Sequence, residues 1–240
     1  MIRAVTFDFW NTLVVDEPRG MRPLQIAGWS EVLEGAGIEV RADALVEAFD
    51  AAWEMFDRSW NENRQFQTSH AVDFILERVG VDASAAVRTE LAQVYSRVGA
   101  TSPLDVTPNA EATLRALRGR GVRLGVVCDV GMTASTALLG RLEGFGLAGL
   151  FDHFSWSDEV GVYKPDGRMF RDALEGLGLD DPAALAHIGD RRRTDVAGAR
   201  AFGSVSVRYT GVWDDPPESG PEADHVIADH AELPGVLGFS

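Results

Sequence analysis

The chain is poor in cysteine and in positive charge. Its 240 residues include a single cysteine, Cys128, so no disulfide can form within the chain. Lysine and arginine number 22 against 37 aspartate and glutamate residues, which gives a net charge of −15. Because nucleic-acid binding needs basic side chains to neutralise phosphates, this balance argues against a nucleic-acid partner. A lone cysteine fits a reducing compartment, so we expect a cytoplasmic location.

Long apolar runs are missing as well. No stretch approaches the roughly 20 residues that span a bilayer, so we expect no membrane partner. The short apolar run at the N-terminus is interrupted by Asp8, which is unlike a signal peptide. With 45% hydrophobic residues, the chain can form one large domain, or one domain with an insertion, around a sizeable core. The composition does not indicate an oligomeric state.

The sequence shows alternating strand and helix patterns, which are interrupted once by a long helical segment. The apolar run 2–7 predicts a buried strand that ends at Asp8. From about residue 23 to residue 99, apolar residues such as Leu45, Phe49 and Trp53 recur at spacings of three and four, which predicts about four helices. Further strands are predicted at 122–128, 154–156, 184–188 and 204–207, with helices between them.

Alternating strands and helices are typical of a parallel sheet with helices on both faces. We therefore predict an α/β fold, with a doubly wound core at 1–15 and 105–240 and an all-helical insertion at 16–104. After the insertion, Thr107 and Pro108 are predicted to start a helix, with Thr107 as its N-cap.

Polar residues follow several of these strands, and we expect them to converge on one edge of the predicted sheet. These residues are Asp8, Cys128 with Asp129, Lys164, and Asp190 with Asp195. Each has an ordinary alternative when taken alone. A lysine before a proline is usually solvated, a lone cysteine is usually a small buried hydrophobe, and an aspartate often caps a helix. The run Arg191–Arg193 is by the same reasoning a solvated charge run.

Taken together, these residues describe one chemistry. Carboxylates gathered at one edge repel each other unless a hard cation is present, and magnesium binds one or two carboxylates together with phosphate and water. A carboxylate beside the metal can attack phosphorus and form an aspartyl-phosphate. A nearby lysine can neutralise the remaining negative charge.

The motifs resemble those of the haloacid dehalogenase-like hydrolase superfamily. The first motif of that family, Asp-x-Asp-x-[Thr/Val], here reads Asp8-Phe9-Trp10-Asn11-Thr12. The second, a strand ending in Ser or Thr, here ends in Cys128-Asp129. The third is Lys164-Pro165, and the fourth, Gly-Asp-x4-Asp, is Gly189-Asp190 followed by Asp195. The resemblance implies a Rossmann-like core and a helical cap at about 16–104.

The resemblance also implies roles for these residues. Asp8 is expected to be the nucleophile and a magnesium ligand, with the backbone carbonyl of Trp10 and the carboxylate of Asp190 as further ligands and Asp195 supporting them. Lys164 is expected to orient the nucleophile and the phosphate, and Thr12 completes the predicted catalytic set. The substrate is expected to be a small phosphorylated metabolite.

Four residues are predicted to contact the substrate, namely Cys128, Asp129, Trp10 and Arg19. Cys128 stands where the family normally offers a hydroxyl to the phosphate, and a thiol is a poorer donor. Arg19, just beyond the first motif, is placed to reach a substrate anion, although most arginines in such linkers are solvated.

Trp10 is compatible with more than one type of reaction. In the family's phosphatases this position is an aspartate that protonates the leaving group, and an indole N–H cannot do so. The family's dehalogenases also lack that aspartate, often with an aromatic residue there, because a halide leaves without protonation. Those enzymes work without metal and usually lack the Gly-Asp of the fourth motif, which is intact here. We therefore favour a magnesium-dependent phosphatase over a dehalogenase or a protein without turnover.

Overall fold

The chain forms two compact units in the computed structural model, which describes residues 1–16 and 20–239. The first unit comprises Met1–Asp16, Leu104–Asp129 and Leu142–Ser240. The second comprises Glu17–Pro103 and Val130–Arg141. The second unit thus includes a segment, 130–141, that the sequence analysis assigned to the core. The predicted domain limits and the action of the helical insertion as a cap stay predictions.

The described residues form eight strands. They are β1 (Ala4–Phe7), β2 (Val14–Asp16), β3 (Leu104–Val106), β4 (Arg123–Cys128), β5 (His153–Trp156), β6 (Leu185–Gly189), β7 (Val205–Tyr209) and β8 (His225–Ile227). Strands β1 and β6 are buried along their whole length, and only the first residue of β4 is exposed. Strands that are buried on both faces read as continuous apolar runs, which is why these three were readable from the sequence.

The same residues form ten α-helices. They are α1 (Arg22–Gly35), α2 (Ala42–Asn61), α3 (Thr68–Arg78), α4 (Ala85–Thr101), α5 (Ala110–Gly119), α6 (Ser135–Gly144), α7 (Ser157–Val160), α8 (Gly167–Gly176), α9 (Ala197–Phe202) and α10 (Leu233–Val236). The first four are the four helices predicted for the insertion.

Six strands make one sheet in the order β5-β4-β1-β6-β7-β8, and every neighbouring pair is parallel. The chain runs outward from β1 in both directions, first through β4 and β5 and then through β6, β7 and β8. This is the strand order of a doubly wound, Rossmann-like fold, as the alternation predicted. The first strand of the chain therefore lies in the middle of the sheet.

Two short strands near the insertion were missed by the sequence analysis. Strands β2 and β3 pair antiparallel, with Val14 opposite Val106 and Asp16 opposite Leu104. They stand at the points where the chain leaves the first unit and returns to it. At three residues each, they are too short to show an alternating pattern.

Thr107 does not cap the helix that follows β3, so that prediction is wrong. Helix α5 begins at Ala110, and its N-cap is Asn109 in a left-handed conformation with φ of 60°. The hydroxyl of Thr107 is buried and donates instead to the backbone carbonyl of Thr12, with Oγ1 and O 2.6 Å apart. A tertiary hydrogen bond has replaced the local one that the sequence favoured.

The helical unit has its own apolar core, and Trp29 lies at its centre. The ring of Trp29 is fully buried and packs edge-on against Phe49 and Tyr95, with ring centroids 5.2 and 6.2 Å apart. Trp53, one of the residues of the helical pattern on α2, is 58% exposed. The spacing was right for a helix, but the apolar stripe of α2 is wider than the face that is buried.

Among the residues that the structure describes, no helix is both long and apolar enough to cross a membrane.

We expect Trp29→Ala to lower the free energy of unfolding by about 3–5 kcal/mol, because it removes a large buried aromatic side chain. Trp53→Ala makes the same chemical change at an exposed position and should stay within about 0.5 kcal/mol of the wild type. Urea unfolding followed by circular dichroism measures both. Equal losses in the two variants would contradict the assignment of Trp29 to the core.

Candidate active site

Two acidic residues follow the two central strands of the sheet. Asp8 comes directly after β1, and Asp190 comes directly after the neighbouring strand β6. The backbone N–H of Asp8 donates to the carbonyl of Ile188 at 2.8 Å, which holds the two strand ends together. The strand order reverses at this pair, and open α/β sheets bind their ligands in the crevice at such a point.

A third carboxylate, that of Asp195, completes a compact acidic cluster. One oxygen from each of Asp8, Asp190 and Asp195 lies within 4.8 Å of the others. All three residues are buried, with exposed fractions of 6%, 1% and 1%. The structure thus brings together the three acidic residues that the sequence analysis assigned to one site.

The ammonium group of Lys164 lies between two of these carboxylates. Its Nζ donates to Asp8 Oδ1 and to Asp195 Oδ1, both at 2.6 Å, and to the carbonyl of Val127 at 2.9 Å. All three donor positions of the ammonium are therefore used. Lys164 is only 2% exposed, so the ordinary alternative of a solvated loop lysine is wrong.

Asp129 supports Lys164 through the backbone. Its Oδ1 accepts the backbone N–H of Lys164 at 2.8 Å. This contact gives the Asp129 carboxylate a structural task in positioning the loop that carries the lysine. Its predicted contact with substrate stays a prediction.

The charges of the cluster shift the ionisation of its members. Burial disfavours a charged lysine, but Asp195 and Asp8 outweigh it and raise the pKa of Lys164 well above its usual value. Burial raises the pKa of Asp8, and burial together with Asp195 raises the pKa of Asp190 to about 7. Lys164 and His187 overcome burial at Asp195 and lower its pKa. One ammonium therefore does not compensate three carboxylates.

Asp195 is held by protein donors on both of its oxygens. Oδ1 accepts from Lys164 and from His187 Nε2 at 3.0 Å, and Oδ2 accepts from the backbone N–H of Arg191 at 2.9 Å. The carboxylate lies against Gly189, where an added Cβ would come within 2.2 Å of Asp195 Cγ. The glycine of the Gly-Asp motif is thus required for space.

His187 was missed by the sequence analysis. It is fully buried in β6, and its Nδ1 lies 3.0 Å from the hydroxyl of Thr6 on β1. Burial lowers its pKa, which favours the neutral ring. The only sequence signal was a polar residue inside an apolar strand, three positions before Asp190.

The turn after Asp8 carries the other residues of the first motif. Asn11 adopts a left-handed conformation with φ of 55°, and its amide donates to Asp190 Oδ2 at 3.4 Å. Trp10 is half-buried, and its ring packs edge-on against Phe9 with centroids 5.0 Å apart. The hydroxyl of Thr12 is buried and finds no hydrogen-bond partner within residues 1–16 and 20–239. Its catalytic role stays a prediction.

Cys128 is buried at the end of β4, and its Sγ donates to the carbonyl of Asp129 at 3.5 Å. Burial, together with the nearby carboxylate of Asp8, raises the pKa of this thiol well above its usual value. Cys128 is therefore a neutral thiol and not a nucleophile. Arg19 lies outside the described residues.

The basic run after Asp190 is not simply solvated, so that interpretation is wrong. Arg192 is buried, donating to Glu222 at 2.7 Å and to the carbonyl of Asp215 at 2.8 Å. The guanidinium of Arg191 lies 3.4 Å from Asp190 Oδ2 and stacks 5.6 Å from the ring centre of Trp213. These contacts tie the loop after β7 to the acidic cluster.

The donor set of the cluster fits magnesium. It offers carboxylate oxygens only, and magnesium prefers oxygen ligands to nitrogen or sulfur. Its uncompensated negative charge also calls for a further cation, and a divalent ion would supply it. Asp8 and Asp190 are the residues whose carboxylates would hold the ion.

Comparison with known proteins defines the class. The model of the haloacid dehalogenase-like hydrolase family matches residues 2–203, so the chain belongs to this family of hydrolases.

Individual relatives differ in activity. Haloacid dehalogenase-like hydrolase domain-containing protein 3 of Bos taurus is 34% identical, covering 88% of this chain and 82% of its own. An (S)-2-haloacid dehalogenase of Pseudomonas sp. strain YL is 29% identical, covering 84% and 80%. The crystal structure of a phosphatase of this family from Thermococcus onnurineus has a TM-score of 0.70 at 25% identity, covering 100% and 99%. Proteins named as a dehalogenase and as a phosphatase are thus both similar to this chain.

We expect Gly189→Ala to destabilise the protein by about 1–3 kcal/mol, because the added methyl group overlaps a carboxylate that is held by hydrogen bonds and cannot move aside freely. Gly119→Ala, where nothing lies within 4 Å of the added atom, should leave the stability unchanged or raise it by up to about 1 kcal/mol. Urea unfolding distinguishes the two. Wild-type stability in Gly189→Ala would show that Asp195 is not fixed as described.

Proposed function

We propose that this hydrolase is a magnesium-dependent phosphatase that acts on a small phosphorylated metabolite through an aspartyl-phosphate at Asp8. The observation that supports the proposal most strongly is the cluster of three buried carboxylates around the ammonium of Lys164. We further propose a cytoplasmic site of action, in line with the single cysteine.

In this proposal the metal ligands are the carboxylates of Asp8 and Asp190 and the backbone carbonyl of Trp10. Asp195 supports them without needing a direct contact, since its two oxygens already accept protein hydrogen bonds. When bound, magnesium supplies positive charge beside the transferred phosphoryl group.

Residues of the chain carry out the chemical steps of the proposed reaction. A carboxylate oxygen of Asp8 attacks phosphorus, and the bond from phosphorus to the leaving oxygen breaks. Water then attacks the aspartyl-phosphate, which releases phosphate and restores Asp8. Lys164 fixes the orientation of the Asp8 carboxylate and opposes the effect of burial on its pKa, because the raised pKa of Lys164 maintains a positive charge 2.6 Å from Oδ1. Fixed positive charge of this kind stabilises negative charge in the transition state.

Dehalogenation is the second candidate, and Trp10 is the observation that favours it. An indole cannot give a proton to a leaving oxygen, whereas a departing halide needs none. A dehalogenase is also among the relatives, at 29% identity. In that reaction Asp8 would attack carbon, expel halide and form an ester that water hydrolyses. The intact Asp190 and its place beside Asp8 support the phosphatase proposal instead.

The nucleophile can be tested directly. We expect Asp8→Asn to abolish turnover, because an amide oxygen is a far weaker nucleophile than a carboxylate. We also expect wild type, but not Asp8→Asn, to bind beryllofluoride in the presence of magnesium. Asp82→Asn makes the same change at a fully exposed position and should keep full activity. Steady-state assays on phosphate esters, acyl phosphates and 2-haloacids, with magnesium and with a chelator, measure these effects.

Each outcome of that screen has one meaning. Full activity in Asp8→Asn on any substrate removes Asp8 from the mechanism. Halide release that does not depend on magnesium assigns the protein to the dehalogenases. Absence of turnover on every class supports a binding protein that has kept the scaffold.

Trp10 should make the rate depend steeply on the leaving group. General acid catalysis contributes about 10²–10⁴ in rate, and its absence matters most for alkoxides, which leave poorly without a proton. We therefore expect acyl and aryl phosphates to react faster than alkyl phosphates, because the loose transition state places much charge on the leaving oxygen.

Trp10→Asp should flatten this dependence and raise the turnover of alkyl phosphates, and a series of aryl and alkyl esters of graded pKa measures both effects. Crystallography of the variant checks that the turn is unchanged. Fast wild-type hydrolysis of alkyl phosphates without leaving-group dependence would mean that another residue supplies the proton.

A further inference from the structure

The backbone carbonyl of Thr12, in the turn that follows Asp8, receives two buried donors. Thr107 Oγ1 donates to it at 2.6 Å, and the ring nitrogen Nε2 of His230 donates to it at 2.8 Å. The two donors lie 3.1 Å from each other. A carbonyl oxygen has two lone pairs, so the hydrogen-bonding capacity of this one is filled.

The carbonyl fixes the protonation of the imidazole. Because a carbonyl can only accept, Nε2 must carry the hydrogen. Nδ1 of His230 is buried and has no hydrogen-bond partner in the described part of the chain, so a second proton there would be unsatisfied. Burial accordingly lowers the pKa of His230, and the neutral Nε2–H form is the donor.

The ring itself is held in place from several sides. It stacks on Tyr209 with ring centroids 4.3 Å apart, and it lies 6.3 Å from the ring of Phe7, the residue before Asp8. The preceding residue, Asp229, accepts two hydrogen bonds from the amide of Asn109 at the start of α5, at 3.0 and 2.9 Å. A donor held this firmly can fix the position of the group that accepts from it.

The accepting turn is small and closed on itself. The backbone N–H groups of Leu13 and Val14 both donate to the carbonyl of Phe9 at 3.0 Å, and Asn11 donates to Val14 at 2.8 Å. The carbonyl of Leu13 accepts the backbone N–H of Thr107 at 3.0 Å, whereas the carbonyl of Thr12 is the group through which His230 attaches the turn to the C-terminal segment. Moving that point displaces the turn as a unit, and Asp8 and Trp10 are joined to it.

We propose that His230 is a positioning residue that fixes the turn after Asp8, and so sets where the Asp8 carboxylate and the Trp10 carbonyl lie. The inference rests on the proposed function for its effect on turnover. Both His230 and its stacking partner Tyr209 lie after residue 203, where the match to the family model ends.

Two substitutions at His230 separate positioning from simple packing. In His230→Gln, the side-chain amide nitrogen reaches the position of Nε2 and can still donate to the carbonyl of Thr12. In His230→Asn, the amide reaches only the position of Nδ1. Both variants lose the stacking on Tyr209, so any loss caused by packing is shared between them.

We expect His230→Asn to lower kcat by roughly 10²-fold with little change in KM, as for a misplaced reacting group, and His230→Gln to stay within about fivefold of the wild type. Hydrogen–deuterium exchange of residues 9–14 should rise in His230→Asn and stay near the wild-type rate in His230→Gln. Mass spectrometry of the peptide that carries the turn measures the exchange without any assumption about the reaction.

Equal kcat and equal exchange in the two variants would overturn the proposal. If the wild type turns over no substrate, the proposed function fails, and the exchange difference still decides whether His230 holds the turn. If neither variant folds, Thr107→Val and Thr107→Ser test the same carbonyl from its other donor. Faster exchange in the valine variant than in the serine variant supports attachment of the turn at Thr12, and equal exchange overturns it.

Discussion

The buried ammonium of Lys164 is the constraint on which the site depends. It joins a carboxylate after β1 to a carboxylate after β6, and its own backbone is held by Asp129 after β4. A buried charge is tolerated only where partners surround it, and loss of one partner leaves the other uncompensated. The segments that follow β1, β4 and β6 are thus held together by the contacts of one buried lysine. The same ammonium favours the ionised form of Asp8, while burial raises the pKa of that carboxyl group.

Much of this architecture could be predicted from the sequence because its signals are local. Strands β1, β4 and β6 are short apolar runs that end in polar residues, and the helices of the insertion repeat their apolar residues at helical spacing. Parallel strands necessarily bring their carboxyl ends to one edge, so Asp8, Lys164 and Asp190 could be placed together without knowing a single contact. The prediction relied on the order in which the motifs follow one another along the chain, and no single residue would have supported it.

What could not be predicted depends on partners far away in the chain. Thr107 has the sequence features of a helix cap, but its hydroxyl bonds to a carbonyl 95 positions earlier. Arg192 belongs to a run that reads as solvated, although its guanidinium is buried against Glu222. Trp53 lies on a helix that was correctly predicted from the spacing of its apolar residues. That spacing does not show how wide a face of the helix the neighbouring helices will cover, and Trp53 is exposed. In each case a tertiary contact overrides a local preference.

The order of strands in the sheet has a consequence for synthesis on the ribosome. β1 leaves the ribosome first but pairs with β4 and β6, and the helical insertion is translated before either of them. The turn after Asp8 obtains its contact with His230 later still, because Thr12 and His230 are separated by 218 positions. Contacts between distant parts of the chain form late in folding. The nascent chain therefore carries its most reactive segment unassembled until nearly all of the protein has been made.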